Sequence, residues 1–365
     1  PIEKQKPFED VYFTGMVRDS QRRKMSKSLG NSPDPLKLMD EYGADGVRFG
    51  MMSVSAAGND LLFDEKLCDQ GKKFSNKIWN AFGLVKMWEE NAVDKQNDNA
   101  STFAWFESKL SKTIEDVDSS LASYRISEAL LSLYNFIWQD FFSTYLEYVK
   151  PNYGDTQDQE TLKRTLEYFE QVLQLLHPFM PFITEEIWQA MDTRAEGASI
   201  NLTTWPKSGS IDVDALAKGE YSKEIISSIR DIRKKAQIKN ADKLAAFVLT
   251  DNPSVYEDFM SKIEKIGGLE SILVSETEVI GAQSFIVKGQ QFYIELNQVI
   301  DVETKRLEME EELKYTRGFL VSVQKKLGNA RFVDNAPEKV VAIERQKLAD
   351  AESKIKLLEE SLGRL

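Results

Sequence analysis

The chain has 365 residues, 42% of them hydrophobic and 29% charged, which is ordinary for a soluble protein of two or three domains. No apolar stretch approaches membrane-spanning length and the first residues have no signal-peptide core, so we expect a cytoplasmic protein cut from a longer chain. A single cysteine, Cys68, excludes an internal disulfide and a cysteine-rich zinc site. The net charge of −12 argues against nucleic acid only if it is evenly spread, and local basic clusters leave RNA binding open.

A short basic loop near the N-terminus is the most informative stretch. It reads KMSKSLGN over residues 24–31 and follows a run of β-branched and aromatic residues at 11–17, which predicts a buried strand. Lysines can meet a phosphate chain as point charges, while serine hydroxyls, free N–H groups and a glycine bend share its oxygens. The alternative, for an arbitrary K-x-x-K pattern, is a solvated surface turn.

Two helices are predicted to follow the loop. Asp34 precedes a proline and can cap the first helix, which Gly43 ends. Asp45 can cap the second helix, which runs through Met52. Asp45 and Arg48 lie one helical turn apart, and we interpret this pair as structural rather than catalytic.

Residues 65–191 carry apolar side chains at helical spacing and predict an antiparallel helix bundle. The segment His177–Pro181 must end one helix because each proline removes a donor, and Thr184 is predicted to start the next. We expect His177 to be packed in the core rather than catalytic. Trp79, on the first helix of the bundle, is expected to be buried rather than stacked on a base.

The last third of the chain changes its pattern. Residues 221–237 predict a helix, and a small α/β module is completed by four strands at 244–250, 271–275, 284–287 and 292–296. Apolar residues then repeat three and four apart along 299–330 and 341–362, with turn signals between them. The two seams can pack as an antiparallel coiled-coil hairpin. A passive packing or dimerisation element is the alternative.

The basic loop resembles the KMSKS signature of class I aminoacyl-tRNA synthetases, and the wider pattern is similar to the C-terminal part of bacterial valyl-tRNA synthetases. The matching strings are PFEDVYFTGMVRD, FSNKIWNAFGLV, LLHPFMPFITEEIW, SIRDIRKKAQI and GNARFVDNAPEKVVAIERQKL. The resemblance implies a mainly α fold in four parts. These are the end of a Rossmann-type catalytic domain with the loop at 1–64, a helix-bundle anticodon-binding domain at 65–206, a small α/β module at 207–296, and a coiled-coil tRNA-binding arm at 297–365.

The same resemblance implies an ATP-dependent ligase that attaches valine to its tRNA, with Mg²⁺ accompanying ATP and no zinc. Lys27 is the strongest candidate for stabilising negative charge on the α-phosphate and on the departing pyrophosphate, and Lys24 would assist it. Ser26 and Ser28 would help to hold this ATP-binding loop. The family's HIGH signature, its amino-acid pocket and its editing domain are missing from these residues, so we expect the fragment alone to be inactive. We also expect a monomer with no membrane partner.

Candidate tRNA-binding residues follow from the resemblance as well. They are Lys72, Lys73, Asn76, Lys77 and Asn80 on the first bundle helix, Arg230 and Arg233 in the α/β module, and Lys325, Lys326 and Arg331 near the tip of the arm. Unpaired anticodon bases are open to stacking and to hydrogen bonds on their edges. Backbone contacts at the arm would add affinity without sequence information.

Two other interpretations remain. An isoleucyl-type or leucyl-type C-terminal region is the nearest, but the isoleucyl family commonly ends in a cysteine-bound zinc module and the leucyl family is not expected to end in this hairpin. The other is a non-catalytic RNA-binding or coiled-coil interaction protein. The intact loop argues against it, because a protein that only binds RNA has no use for a triphosphate clamp.

Overall fold

A computed structural model describes residues 8–13, 15–55, 59–239, 241–249, 257–296, 302–329, 332–333 and 337–362. The chain forms two compact units, Pro1–Ala217 and Lys218–Leu365, and each is described by itself. The finer division into four parts stays a prediction.

The first unit begins with short elements around the basic loop. They are strand β1 (Val17–Arg18), helices α1 (Pro35–Tyr42) and α2 (Ala44–Ser53) and strand β2 (Leu61–Leu62). The two strands pair in parallel. The prediction of a buried strand over 11–17 is wrong, because Val17 alone among the described residues of that run is in a strand, while Val11 and Phe13 are 66% and 79% exposed. Those apolar side chains find no surface to bury against in the described part of the chain.

Local capping sets the ends of α1. The Asp34 carboxylate accepts a hydrogen bond of 3.0 Å from the Leu36 N–H, and Pro35 occupies the first helical position, where no N–H donor is needed. The helix ends at Gly43, whose φ of 76° suits glycine. The predicted start and stop are therefore confirmed.

A helix bundle fills the rest of the first unit. Its elements are α3 (Glu65–Glu89), α4 (Ala100–Ala122), α5 (Ile126–Asn135), a π-helix (Phe136–Tyr145), α6 (Leu146–Val149), α7 (Gln159–Leu176) and α8 (Pro181–Met191). Aromatic rings form its core, with the centroids of Phe106 and Tyr145 4.5 Å apart and those of Phe106 and Tyr168 5.0 Å apart. The predicted mainly helical architecture is confirmed.

Helices α2 and α3 cross at unusually close range because glycines line the crossing. A Cβ atom added at Gly71 would lie 2.7 Å from the Phe49 Cβ atom and 2.8 Å from the Gly46 carbonyl oxygen. At Gly50 an added Cβ would meet the Cys68 Sγ atom at 2.8 Å. No side chain fits at these distances, so the crossing fixes the loop-bearing segment against the bundle.

The turn between α7 and α8 is clamped by two side chains of α2. The Asp45 carboxylate accepts the N–H groups of Phe182 at 3.2 Å and Ile183 at 2.7 Å. The Arg48 guanidinium donates to the carbonyl oxygens of Pro178 and Phe179, at 2.8 and 3.0 Å. The structural interpretation of this pair is confirmed.

The clamp also corrects two helix-start predictions. Asp45 does not cap its own helix, because its carboxylate caps the remote N-terminus of α8. Helix α8 begins at Pro181 rather than at Thr184, since a proline at the first position has no N–H to satisfy and Asp45 takes the N–H groups that follow.

Among its described residues, the second unit contains a four-stranded sheet and four helices of eight or more residues. Its helices are α9 (Val213–Lys235, which starts just before the unit), α10 (Met260–Gly267), α11 (Val302–Leu327) and α12 (Glu338–Leu362). Its strands are β3 (Leu244–Leu249), β4 (Leu269–Ser275), β5 (Gln283–Val287) and β6 (Gln290–Ile294), in the order β4-β3-β6-β5. Strands β3 and β4 are parallel and the other pairs are antiparallel. Lys288 and Gly289 join β5 to β6 with φ of 47° and 83°, as a tight hairpin turn requires.

Helices α11 and α12 run antiparallel to each other. Ion pairs cross between them at both ends, from Lys326 to Glu344 at 3.0 Å and from Lys354 to Glu312 at 2.8 Å. Val323, Val341 and Ala351 are buried between otherwise exposed faces. The apolar contact between the two helices is therefore confined to a narrow strip of side chains.

Candidate functional site

The basic loop rests on a small hydrophobic core. The Met25 N–H donates to the Val17 carbonyl oxygen at 3.0 Å, which closes a short hairpin ahead of the loop. Both side chains pack on a cluster formed by Leu38, Leu61, Phe63 and Cys68. Burial raises the pKa of the Cys68 thiol to about 11, so this cysteine is an inert packing residue.

Two polar side chains hold the loop from inside, and we call them the Asp19–Asn31 clasp. The Asn31 amide accepts the Ser26 N–H at 2.9 Å and donates to an Asp19 carboxylate oxygen at 3.0 Å and to the Lys24 carbonyl oxygen at 3.2 Å. Asp19 is only 8% exposed and also accepts the Arg23 guanidinium at 2.7 Å. The Asn31 and Arg23 hydrogen bonds hold the pKa of the Asp19 carboxyl well below its usual range.

The clasp leaves the two lysines of the loop facing solvent. Lys24 and Lys27 are exposed, and neither forms an ion pair with a described residue. Ser26 caps a 3₁₀ turn over Lys27–Leu29 by accepting the Leu29 N–H at 3.3 Å, and its hydroxyl lies 3.1 Å from that of Ser28. The loop can therefore present two uncompensated positive charges from a backbone that is already fixed.

The predicted residues of α3 divide into partnered and free side chains. Lys72 donates to the Glu41 carbonyl oxygen at 2.7 Å, Lys73 pairs with Asp69 at 2.6 Å, and the Lys77 ammonium lies 5.2 Å from the centre of the Trp138 ring. Asn76 and Asn80 are exposed, and no described residue bonds their side chains. The structure thus brings the two amides to one face and draws the lysine charges towards protein partners.

Trp79 lies on that same face and is 46% exposed, so the prediction of its burial is wrong. Phe74 and Ile78 fill the core side of the helix, and Trp79 falls on the opposite side. The position of Asn76 could have revealed this, because residues three and four apart share one helical face, and Trp79 and Asn80 follow Asn76 by three and four positions. The sequence analysis weighed Trp79 as a stacking residue and assigned it to the core, and its exposure makes it a candidate again.

Arg230 and Arg233 are separated by the structure. Arg230 is exposed on α9, whereas Arg233 is 5% exposed and its guanidinium donates to the carbonyl oxygens of Gly268, Asp242 and Lys239. The prediction that Arg233 contacts tRNA is wrong, because its guanidinium is buried and bonds three carbonyl oxygens inside the protein.

At the end of α11 the predicted residues also differ in availability. Lys325 is exposed, while Lys326 pairs with Glu344 at 3.0 Å and lies 5.0 Å from the centre of the Phe332 ring. Arg331 lies outside the described residues. Lys325 is therefore the cation of the predicted pair that forms no ion pair with a described residue.

Within the described ranges, no group of three or more His, Cys, Asp or Glu side chains is placed to hold a metal ion. In the same part of the chain, no helix combines the length and the apolar composition needed to span a membrane.

Comparison with known proteins identifies three consecutive regions. Residues 1–64 match the family model "tRNA synthetases class I (I, L, M and V)", residues 104–248 match "Anticodon-binding domain of tRNA ligase", and residues 300–365 match "Valyl tRNA synthetase tRNA binding arm". The three regions are similar, in this order, to a class I tRNA synthetase domain, an anticodon-binding domain and a tRNA-binding arm.

The similar full-length proteins are more specific. The chain is 48% identical over 360 residues to the valine–tRNA ligase of Parabacteroides distasonis and 47% identical over 362 residues to that of Christiangramia forsetii. These alignments cover 98% and 99% of the chain and 41% of each relative. The predicted resemblance is confirmed: the chain is homologous to the C-terminal two fifths of valine–tRNA ligases. A solved LeuRS–tRNA–LeuAMS complex from Agrobacterium radiobacter K84 is 21% identical to this chain, with a TM-score of 0.42. The match covers 56% of this chain and 24% of that one, and the structural similarity is low.

Proposed function

We propose that this chain is the C-terminal region of a valine–tRNA ligase, the enzyme that joins valine to its tRNA in a reaction driven by ATP. The observation that carries the proposal is the 48% identity to the Parabacteroides distasonis ligase across 98% of the chain. Three family models in the order of catalytic end, anticodon-binding domain and arm also support it. Because the chain corresponds to 41% of that relative, the whole reaction belongs to a longer protein.

In this proposal the basic loop binds the phosphates of ATP. Lys27 and Lys24 stabilise negative charge as valine attacks the α-phosphate and pyrophosphate departs. The support is their exposure on a loop that the Asp19–Asn31 clasp has already ordered, since charges that need no reorganisation stabilise a transition state most strongly. Ser26 and Ser28 shape the loop through its 3₁₀ turn.

Mg²⁺ would enter with ATP as the ion of its phosphates. The described residues offer no carboxylate cluster for it, so its ligands would be phosphate oxygens and groups outside this region. When bound, it would neutralise part of the triphosphate charge. The work of this chain is to supply the two lysine charges.

The exposed face of α3 is the proposed reader of the anticodon. Asn76 and Asn80 can hydrogen-bond to base edges, and the half-exposed Trp79 between them can stack on an unpaired base. Lys72, Lys73 and Lys77 contribute only if tRNA displaces their present partners.

The antiparallel pair α11 and α12 is the proposed coiled-coil arm, with Lys325 near its tip contacting the tRNA backbone. The proposed division into a Rossmann-type end, an anticodon-binding bundle, an α/β module and this arm follows the order of the family models. We also propose that the protein is a cytoplasmic monomer, which light scattering after size-exclusion chromatography tests.

Binding of this chain to valine tRNA, compared with the same tRNA carrying a replaced anticodon, tests the proposal. We expect the anticodon change to weaken binding about tenfold or more at every salt concentration. Trp79→Ala and Asn80→Ala should remove that difference, whereas Trp88→Phe, a substitution at a buried tryptophan of the same helix, should leave it. Equal binding of both tRNAs by the wild-type chain would contradict the proposal.

Activation of valine tests the loop. We expect no ATP–pyrophosphate exchange by this chain alone, because the resemblance places the other half of the active site outside it. In a complete ligase, Lys27→Ala should reduce the exchange rate by about a hundredfold or more. Exchange catalysed by the isolated chain would overturn the division of labour proposed here.

A further inference from the structure

The C-terminal end of α9 and the loop after it carry a concentration of positive charge. The exposed cations of this stretch are Arg230, Lys234, Lys235, Lys239 and Lys243. None of them forms an ion pair with a described residue, and only two exposed carboxylates, Asp231 and Asp242, share the stretch. On a chain of net charge −12, the overall composition does not account for such a cluster.

The helix end itself is tightly organised. The Ile238 N–H donates to the Arg233 carbonyl oxygen at 2.9 Å, and the Gln237 N–H donates to that of Lys234 at 3.2 Å. Gln237 has a φ of 54°, a left-handed conformation that a residue other than glycine rarely adopts. These bonds form a Schellman motif, which turns the chain sharply back at the end of the helix.

Buried Arg233 fixes the returning loop. Its guanidinium donates to the carbonyl oxygens of Asp242 at 2.9 Å, of Gly268 at 3.3 Å and of Lys239. Because the carbonyl groups of Lys239 and Asp242 point to Arg233, the loop is held beside the helix end. This brings the exposed side chains of Lys239 and Lys243 to the same end of the unit as those of α9.

Stabilisation of the helix does not explain the whole cluster. Cations in the last turn interact favourably with the helix dipole, which accounts for Lys234 and Lys235. Lys239 and Lys243 lie beyond the helix and gain nothing from that effect. Unpaired cations held in a fixed array are instead suited to binding a polyanion. Lysines that approach its phosphates release the bound counterions, which favours binding.

We propose that these five cations, which we call the α9 basic surface, bind the phosphate backbone of the tRNA, and that Arg233 is the positioning residue that assembles them. The proposal rests on the proposed function, in that the ligand is tRNA. The surface adds affinity without reading sequence, since backbone contacts carry no base information.

The test measures binding of this chain to valine tRNA over a salt series. The variant is the triple substitution Lys234→Gln, Lys239→Gln and Lys243→Gln. The matched control is Lys66→Gln, Lys163→Gln and Lys207→Gln, which removes three exposed lysines of the other unit that form no ion pair with a described residue. We expect the variant to bind about tenfold to a hundredfold more weakly at low salt, with a log–log salt slope shallower by about two.

The α9 variant should lose tRNA-binding affinity by the same factor whether the tRNA carries its native anticodon or a replaced one. If the wild-type chain binds tRNA and the α9 variant matches it in affinity and in salt slope, the inference is overturned while the proposed function stands. A loss of equal size in the control variant would also overturn it, because the effect would then be one of net charge. Failure of the wild-type chain to bind any tRNA would overturn both.

Arg233→Lys isolates the positioning role, because it removes no exposed charge. Lysine has its donors on a single nitrogen, so it cannot reach the separate carbonyl oxygens that two nitrogens of the planar guanidinium bond. We expect faster amide exchange in residues 236–243, tRNA binding weaker by about threefold to tenfold, and unchanged helix content by circular dichroism. Faster loop exchange with unaltered tRNA binding would show that the loop does not position the surface, and would overturn this part of the inference.

Discussion

The clamp at α8 and the clasp in the basic loop make an instructive pair, because a carboxylate organises each of them. Asp45 caps α8 inside a close-packed junction of α2, α3 and α8. Asp19 organises a loop most of whose residues are exposed. The first carboxylate joins elements more than 130 positions apart in sequence, whereas the second orders a local segment. We therefore expect damage at the clamp to lower global stability, and damage at the clasp to stay local.

The largest effect is expected from the glycine crossing beside the clamp. Gly71→Ala places a Cβ atom 2.7 Å from the Phe49 Cβ atom and 2.8 Å from the Gly46 carbonyl oxygen, so the helices must separate. We expect the free energy of unfolding to fall by about 1–3 kcal/mol or more, as overpacked cores show. Urea unfolding followed by circular dichroism measures it.

Gly83→Ala is the matched control, because Gly83 lies on the same helix with open space where its Cβ would be. There the substitution should stabilise the protein by about 0.5–1 kcal/mol, since alanine restricts the unfolded chain more than glycine does. Similar destabilisation by both variants would mean that helix propensity, rather than the crossing, is being measured.

The clamp is probed by Asp45→Ala. The variant leaves the N–H groups of Phe182 and Ile183 without their acceptor, and a lost helix cap lowers the free energy of unfolding by about 1–2 kcal/mol. Burial raises the pKa of Asp45, so part of its hydrogen-bond energy already offsets desolvation. Asp45→Asn retains one acceptor oxygen and should recover about half of the loss. A wild-type urea midpoint in the alanine variant would rule out a stabilising clamp.

The clasp is probed by Asn31→Ala. The change removes three hydrogen bonds inside the loop, so the amide protons of Ser26 and Leu29 should exchange about tenfold faster. The urea midpoint should stay unchanged because the loop packs little apolar surface. Ser32→Ala, at an exposed neighbour that bonds no described residue, is the control. An unfolding midpoint that falls with Asn31→Ala would show that the loop is part of the global cooperative unit, against the comparison above.

What sequence could predict follows the same division between local and distant effects. The ends of α1 were predictable because Asp34 and Gly43 act on the helix they flank. Asp45 also precedes helical residues and looks like a cap for its own helix, but its true partner lies on α8, which no local pattern reveals. The prediction that Arg233 contacts tRNA failed for the same reason. Its guanidinium bonds carbonyl oxygens of the following loop and of Gly268, which the pattern of its own helix does not reveal.

The predicted binding lysines show even more clearly what the sequence alone does not determine. Charge type and spacing identified Lys24 and Lys27 on a loop, and in the described part of the chain neither forms an ion pair. The family resemblance selected Lys72 and Lys73, whose ammonium groups already have partners. Composition predicts which residues could bind an anion, and only packing decides which of them are available.

His177 offers the smallest effect and a clean measurement, because it is the only histidine in the chain. Its ring Nδ1 lies 2.8 Å from the Thr184 hydroxyl oxygen, and burial lowers the imidazole pKa below its ordinary value. We expect an NMR titration to place this pKa below about 6.5.

A histidine whose pKa is lowered by folding contributes stability above its unfolded pKa of about 6.5, and that contribution is lost as the pH falls through the folded pKa. The unfolding free energy of the wild-type chain should therefore fall more than that of His177→Asn between pH 7 and pH 5. A measured pKa at or above 6.5 would mean that nearby Asp45 and Glu185 outweigh burial, and that the α7–α8 turn is more solvated than its contacts with the clamp imply.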